Sequence, residues 1–216
     1  MRADPEITDP EIRETLAAYG VDAGPELCAH LRSYIELLLH WNKAVSLTTI
    51  ADPVEIVRRH FGESFFAVAA VPISEGRLAD VGSGAGFPGA AIAMVAPRVS
   101  VRLIEANAKK AAFLETVRRE LKLSNLEVAK ARAEDAAQSF AASDFITARA
   151  LGNYDRLLPL LGSRAKGSAR VVLWLGQDDA HALARTEGWD WGPTIKIPGS
   201  QKRVLLIGTK QPACST

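Results

Sequence analysis

Apolar residues recur at helical spacing through the first third of the chain. Leu27, Leu31, Tyr34, Ile35, Leu38 and Leu39 fall on one face of a helix that opens near Gly24-Pro25 and ends around Trp41-Asn42-Lys43. An earlier helix start is read at Asp9-Pro10-Glu11, with Asp9 as N-cap and Pro10 at the first helical position; the residues before it read as a frayed end. Asp52-Pro53 opens a third helix leading to Arg58-Arg59-His60, and Phe65 to Val71 forms a fourth that stops at Pro72. Residues 1–72 are therefore expected to be a helical region packed on the rest of the chain.

From Gly76 the pattern changes to short apolar runs separated by helical segments. Arg77–Val81, Val99–Glu105, Leu126–Lys130, Phe145–Ala148 and Ala169–Leu175 read as strands. Between Asn107 and Leu121 a helix places Phe113, Leu114, Val117 and Leu121 on one face and Lys109, Lys110, Arg118 and Arg119 on the other. Strand–helix alternation of this kind predicts a parallel sheet. Thr194–Ile197 and Val204–Thr209 flank Pro198-Gly199 as a closing pair. The expected fold is α/β: a Rossmann-like, seven-stranded, mostly parallel sheet over 73–210 with an N-terminal helical cap over 1–72 and a loose tail over 211–216. Strand order is not set by the pattern.

The first strand runs into Asp80-Val81-Gly82-Ser83-Gly84-Ala85-Gly86-Phe87-Pro88-Gly89 and then the apolar helix Ala90 to Ala96. A strand, a glycine-rich turn and a helix N-terminus bring bare backbone up against a nucleotide-like cofactor. Two cofactors compete. Gly84, Gly86 and Gly89 satisfy the dinucleotide pattern, with Glu105 about 20 residues on. Read from Asp80, the same stretch is acidic-x-G-x-G-x-G, the S-adenosylmethionine (AdoMet) pattern, in which the first acid helps hold the amino-acid end and Glu105 bonds the ribose hydroxyls. An acid at the strand's end suits a cofactor carrying an ammonium and a sulfonium, and would repel a pyrophosphate. AdoMet is therefore the better fit, and the dinucleotide reading stays as the alternative.

Ligands of a parallel sheet sit outside the carboxyl ends of its strands. The third strand end gives Arg132-Ala133-Glu134, where the Ala133 N–H and the Glu134 side chain could bracket an adenine. The fourth gives Thr147-Ala148-Arg149-Ala150, with Arg149 facing the reaction cleft as a positioning group. Asn-Pro-Pro-Tyr, which serves exocyclic amino groups, is absent there, and no Cys is present to attack a pyrimidine ring. A ring nitrogen such as guanine N7 needs neither, because its lone pair is exposed and carries no proton. Positioning alone then supplies about 7–11 kcal/mol.

The chain has 216 residues, enough for one sizeable α/β domain plus a modest appendage. Net charge is +1, so any nucleic-acid contact must come from a local patch. Candidates are Arg58, Arg59, His60, Lys202 and Arg203, joined by Arg149, Arg156 and Arg164 as phosphate-tracking cations. Trp174, Trp189 and Trp191 could stack on bases, with core packing the favoured alternative. Cys28 and Cys214 match no metal or redox spacing, and no metal is expected. The acidic N-terminus is no signal peptide and no apolar run is long enough to span a membrane, so a cytoplasmic monomer is expected.

These motifs together resemble the RsmG (GidB) family of bacterial methyltransferases. The resemblance runs from about Leu38 to Lys210. It rests on Trp41-Asn42-Lys43 with Leu47-Thr48, Arg59-His60 with Ser64, the Asp80–Gly89 loop and Lys109-Lys110 with Phe113-Leu114. Leu121-Lys122-Leu123 with Asn125, Arg132-Ala133-Glu134, Arg149-Ala150 and Arg203 through Lys210 complete it. Ser46, Glu63 and Leu175 depart from that family's usual residues. The resemblance implies an AdoMet-dependent enzyme that methylates guanine N7 in 16S ribosomal RNA of the small subunit. It also implies that Gly82, Phe87, Ala133, Glu134 and Arg149 contact AdoMet, and that the helical region, Asn42 included, helps engage RNA. Asp80, Ser83, Gly84, Gly86 and Glu105 join them as cofactor-site residues on the loop pattern. The rivals are a methyltransferase for a small molecule and a dinucleotide-binding oxidoreductase.

Overall fold

A computed structural model of the chain describes residues 6–211. The strands are β1 (Gly76–Val81), β2 (Val99–Ile104), β3 (Leu126–Ala129), β4 (Phe145–Arg149), β5 (Arg170–Gly176), β6 (Trp189–Trp191), β7 (Ile195–Lys196) and β8 (Arg203–Lys210). The order across the sheet is β3-β2-β1-β4-β5-β8-β6, with β7 also paired to β8. β1 to β5 are mutually parallel and β8 returns antiparallel beside β5. β4 and β5 are almost wholly buried, as their continuous apolar runs require when both faces are covered. β2, nearer the edge, alternates, leaving Ser100 and Arg102 exposed.

The seven-stranded expectation holds along the path, but the outermost position is made of two pieces. β7 lies opposite Val204 and Leu205, and β6 opposite Gly208 to Lys210 on the same strand. β6 is too short for its alternation to be read locally. Trp174 and Trp189 are buried, with their indole N–H groups donating to the carbonyls of Glu63 (3.2 Å) and Leu158 (3.4 Å), and Trp191 donates to Thr186 (2.9 Å). All three indole N–H groups are thus taken up inside the chain, as core packing implies.

Helices cover both faces. α1 (Asp9–Ala17), α2 (Pro25–Asn42), α5 (Gly89–Val95) and α6 (Ala108–Glu120) lie on one, sharing a continuous core in which Leu16, Leu31 and Leu38 join Phe113, Val101 and Leu103. α7 (Ala137–Ala142), α8 (Tyr154–Arg164) and α9 (Gln177–Leu183) cover the other, packing Phe140, Leu158 and Ala180 on Ile146 and Val171. Two details of the N-terminal region differ from the expected ones. The N-cap of α1 is Thr8, not Asp9: Thr8 is extended, its N–H and hydroxyl donate to the Glu11 carboxylate (2.8 and 2.6 Å), and Pro10 therefore sits one position deeper. Asp9 instead pairs with Arg32 of α2, and Ile7 is buried, so this end is anchored from residue 7 onward.

The second difference is that the third and fourth helices form one run. α3 (Pro53–Ile56), capped by Asp52, passes through a π-helical turn (Val57–Gly62) into α4 (Glu63–Ala70). At Gly62 the Tyr19 ring lies where a Cβ would stand, so only glycine lets the segment just after α1 approach the turn this closely. Gln211 N–H donates to Gly188 (3.1 Å); the rest of the expected tail, Cys214 included, lies outside the described residues, as does the N-terminal stretch 1–5. No helix among the described residues is long and apolar enough to cross a membrane.

Tyr34 of α2 is the seam between the N-terminal helices and the sheet. It is fully buried, meets Phe61 edge-on at 5.2 Å, and donates its hydroxyl to the Ala85 carbonyl at 2.8 Å. Tyr34→Phe leaves that carbonyl unsatisfied, and urea unfolding is expected to show a loss of about 1–3 kcal/mol.

Candidate functional site

A cleft of about 880 Å³ opens at the carboxyl ends of β1, β2 and β4. Of the residues expected at a cofactor site, Gly82, Ser83, Gly84, Phe87, Glu105, Ala133, Glu134 and Arg149 line it, and His60 joins them. Asp80 and Gly86 do not, because both lie beneath the loop rather than on its open side. Asp80 is fully buried; its carboxylate accepts from Thr147 Oγ1 (2.7 Å) on β4 and from the Gly89 N–H (3.2 Å) at the start of α5. Its role here is to tie the far end of the loop to the strands. Burial pushes its pKa up to about 6, against the bonds from Thr147, Ser83 and Gly89 that lower it.

The rest of the loop is held in the same way. Glu105 accepts from the Gly84 N–H (2.9 Å) and from the Asn107 N–H (2.7 Å), so one carboxylate fixes both the loop and the approach to α6. Ser83 Oγ donates to the Asp80 carbonyl (3.0 Å). Gly86 has φ +88°, and a Cβ there would collide with Tyr34 Oη; at Gly89 it would meet Asp80 and Leu103. These two glycines serve the packing of the loop on α2 and β2.

Phe87 and His60 form one wall of the cleft. Their rings stack at 4.6 Å and 15°, and Phe61 meets Phe87 edge-on at 4.9 Å. His60 Nε2 is 2.9 Å from Thr48 Oγ1. Burial, and then the charges of Arg149, Arg59 and Arg203, push the His60 pKa down to about 3, so the ring is neutral. Arg149 donates from Nη2 to the Arg59 carbonyl (2.8 Å), and its Nη1 is buried without a partner. Burial lowers its pKa and the neighbouring Glu63 opposes that shift.

The nucleic-acid candidates separate into distinct groups. Asn42 does not line the cleft: its amide donates to the Thr48 carbonyl (2.8 Å) and accepts from the Leu47 and Thr48 N–H groups (2.8 and 3.0 Å), pinning the turn after α2. Arg203 is likewise held internally, donating to Glu63 from Nε at 2.8 Å. Arg58 and Lys202 are exposed outside the cleft, Arg58 paired with Glu55, and Arg59 is half-buried. Lys110 and Arg156 line the cleft itself.

Sequence reasoning named Ala150 at the end of the fourth strand and missed the rest of the turn after β4. Leu151, Gly152 and Asn153 line the cleft with Ala150, which takes φ +54°, a conformation costing an L-residue about 1–3 kcal/mol. The strand-end rule that singled out Arg149 extends to them. Among the described residues no group of three or more His, Cys, Asp or Glu gathers as a metal site. What the cleft offers is a backbone cradle, a carboxylate at Glu105, an aromatic wall and an unpaired guanidinium nitrogen. That set suits binding and orienting an organic cofactor with hydroxyl and ionic groups.

The family model described as rRNA small subunit methyltransferase G (GidB) matches residues 27–188. A protein from Xanthomonas axonopodis pv. citri named ribosomal RNA small subunit methyltransferase G is 37% identical over 200 residues, covering 90% of this chain and 92% of its own. One of the same name from Sorangium cellulosum is 39% identical over 183 residues, covering 82% and 77%. Among solved structures, a SAM dependent methyltransferase from Aquifex aeolicus superposes with a TM-score of 0.59 at 18% identity, covering 74% of this chain and 94% of its own. That last likeness shows the Rossmann-like fold.

Asp80 and His60 give the chain opposing pH dependences. Between 3.8 and about 6 the native state holds a proton on Asp80 that the unfolded chain has lost, so this group lowers stability as pH rises. Between about 3 and 6.5 the unfolded chain protonates His60 while the native state refuses, so this group raises stability as pH rises. Asp80→Asn keeps an oxygen to accept from the Gly89 N–H, turns its amide NH2 toward Thr147 Oγ1 as donor in place of the accepted bond, and removes the first contribution. Its unfolding free energy, measured by denaturant titration across pH 4 to 6, is expected to climb more steeply with pH than that of the wild type; an unchanged slope contradicts the assignment.

Proposed function

We propose a reaction for a chain that belongs to the rRNA small subunit methyltransferase G (GidB) family: transfer of a methyl group from AdoMet to N7 of a guanine in 16S ribosomal RNA. Membership in a methyltransferase family supports AdoMet over the dinucleotide alternative. The observation that carries the reading is that the residues expected at the two acidic-to-glycine anchor points, Gly82 to Gly84 and Glu105, share one cleft with Ala133, Glu134 and Arg149.

The residues present fit the cofactor. The cleft lies within the size range of small-molecule sites, about 300–1,000 Å³. Glu105 keeps lone pairs for two ribose hydroxyls beyond the bonds it accepts from Gly84 and Asn107. Ala133 and Glu134 would hold the adenine and the loop backbone from Gly82 to Gly84 would receive the rest of the cofactor, while Arg149 Nη1, buried without a partner, would donate to a ligand oxygen. Asp80 is assigned to holding the loop. When bound, AdoMet supplies a methyl group on a sulfonium sulfur, open to attack by a lone pair.

Guanine N7 carries such a lone pair and no proton, so the chain needs to orient the base and exclude competitors rather than supply a base. This agrees with His60: it is neutral, but its Nε2 is engaged with Thr48 and its ring is stacked on Phe87. His60 is therefore assigned to shaping the acceptor side of the cleft. Lys110 and Arg156, which line the cleft, and the exposed Arg58 and Lys202 are assigned to tracking phosphates of the small-subunit RNA. The chain is read as acting as a monomer in the cytoplasm, where that RNA is found.

The direct test is transfer of labelled methyl from AdoMet to small ribosomal subunits from cells lacking this enzyme, with the product nucleoside identified. Incorporation as 7-methylguanosine is expected; cofactor binding without incorporation would discard this acceptor. RNA affinity is expected to fall steeply with salt. Glu105→Ala removes charge-assisted bonds and is expected to weaken S-adenosylhomocysteine binding about 10- to 100-fold by calorimetry.

A further inference from the structure

Glu63, the first residue of α4, lies next to the cleft without lining it, and it is fully buried. A carboxylate removed from water persists only when paired. Oε1 accepts from Nε of Arg203 on β8 (2.8 Å) and stands 2.5 Å from its Nη2 as an ion pair. Oε2 stands 3.2 Å from Arg149 Nη2 at the end of β4, close enough for an ion pair without the alignment of a hydrogen bond. Its backbone carbonyl accepts from Trp174 Nε1 of β5. One residue of the helical region thus grips three neighbouring strands, β4, β5 and β8.

The consequence falls on Arg149. Its Nη2 is held twice, by Glu63 and by the Arg59 carbonyl that the π-helical turn presents. A guanidinium is planar and rigid, so holding one nitrogen fixes where the others point. The nitrogen left over, Nη1, is buried and unpartnered on a side chain that lines the cleft. A buried donor kept unpaired is costly, and a purely structural ion pair would satisfy both nitrogens. We propose that Glu63 is a positioning residue for methyl transfer: it anchors Arg149 through Nη2 so that Nη1 stands ready to donate to an oxygen of the ligands in the cleft. This rests on the cleft being the site of methyl transfer.

The test compares kcat/KM for methyl transfer to small ribosomal subunits, each value normalised to the folded fraction from near-UV circular dichroism. Glu63→Gln keeps the volume and removes the charge; it is expected to lose at least about tenfold, and Glu63→Asp, which keeps the charge, to recover most of that loss. In an Arg149→Met background, Glu63→Gln is expected to cost less than about twofold more, because the group it acts through is gone. A role in stability alone would lower the folded fraction of Glu63→Gln and leave the normalised value unchanged, overturning the proposal. So would losses that multiply in the double variant, or a Glu63→Asp no better than Glu63→Gln. Arg149→Met with full activity would overturn both the proposal and the placement of ligands beside Arg149, whereas Arg149→Met inactive with Glu63→Gln active overturns the proposal alone.

Discussion

A glycine loop has almost no side chains with which to hold its own shape. The stretch from Gly82 to Gly89 therefore depends on polar groups that reach it from outside. Glu105 takes the Gly84 N–H, Asp80 takes the Gly89 N–H, and Tyr34 gives its hydroxyl to the Ala85 carbonyl. Each anchor comes from a different element: the end of β2, β1 itself, and α2. Backbone groups inside a protein must be bonded, so these contacts both shape the loop and remove what would otherwise be unpaired amides and carbonyls. The open side of the loop is left free for a ligand because its underside is fully committed.

This constraint explains why the N-terminal helices are integral to the site. Tyr34 reaches the loop from α2, Phe61 from the π-helical turn packs on Phe87, and His60 stacks on the same ring. The turn also presents the Arg59 carbonyl to Arg149, and Glu63 comes immediately after it. A regular helix places side chains every 100°; one wider turn shifts the register of everything beyond it. Here the wider turn coincides with the run Arg58-Arg59-His60 that meets the ends of the parallel strands, so the irregularity sits where the helical region and the sheet share a ligand cleft.

The parallel strands and the cleft were legible because their signals are local. Apolar runs between helical segments located β1 to β5, and the strand-end rule located Glu105, Ala133, Glu134 and Arg149. What was not legible depended on distant partners. β6 is three residues whose strand character comes from pairing with β8. Thr8 and Asp9 are both good caps by type, and the Thr8–Glu11 bonds decide between them. Asp80 reads as a ligand contact from its motif, yet Thr147 and the loop's own backbone occupy its carboxylate. Nothing in the run Gly62-Glu63-Ser64 announces that Glu63 will meet an arginine 140 residues away.

Charge balance links these features. Arg149 and Arg203 converge on the one carboxylate of Glu63, and Arg59 is near enough to depress both the His60 and Arg149 pKa values. The corner therefore carries more positive than negative charge, and the neutral His60 ring is the group that yields. A cationic imidazole there would add to the repulsion; keeping it neutral lets it lie flat on Phe87 and lets the guanidinium remain the charged donor at the cleft. A methyl acceptor that becomes positively charged on reaction gains nothing from a further cation nearby. Glu63 supplies the compensating charge from behind Arg149, outside the lining of the cleft, where it balances the guanidinium through Nη2 without competing for Nη1.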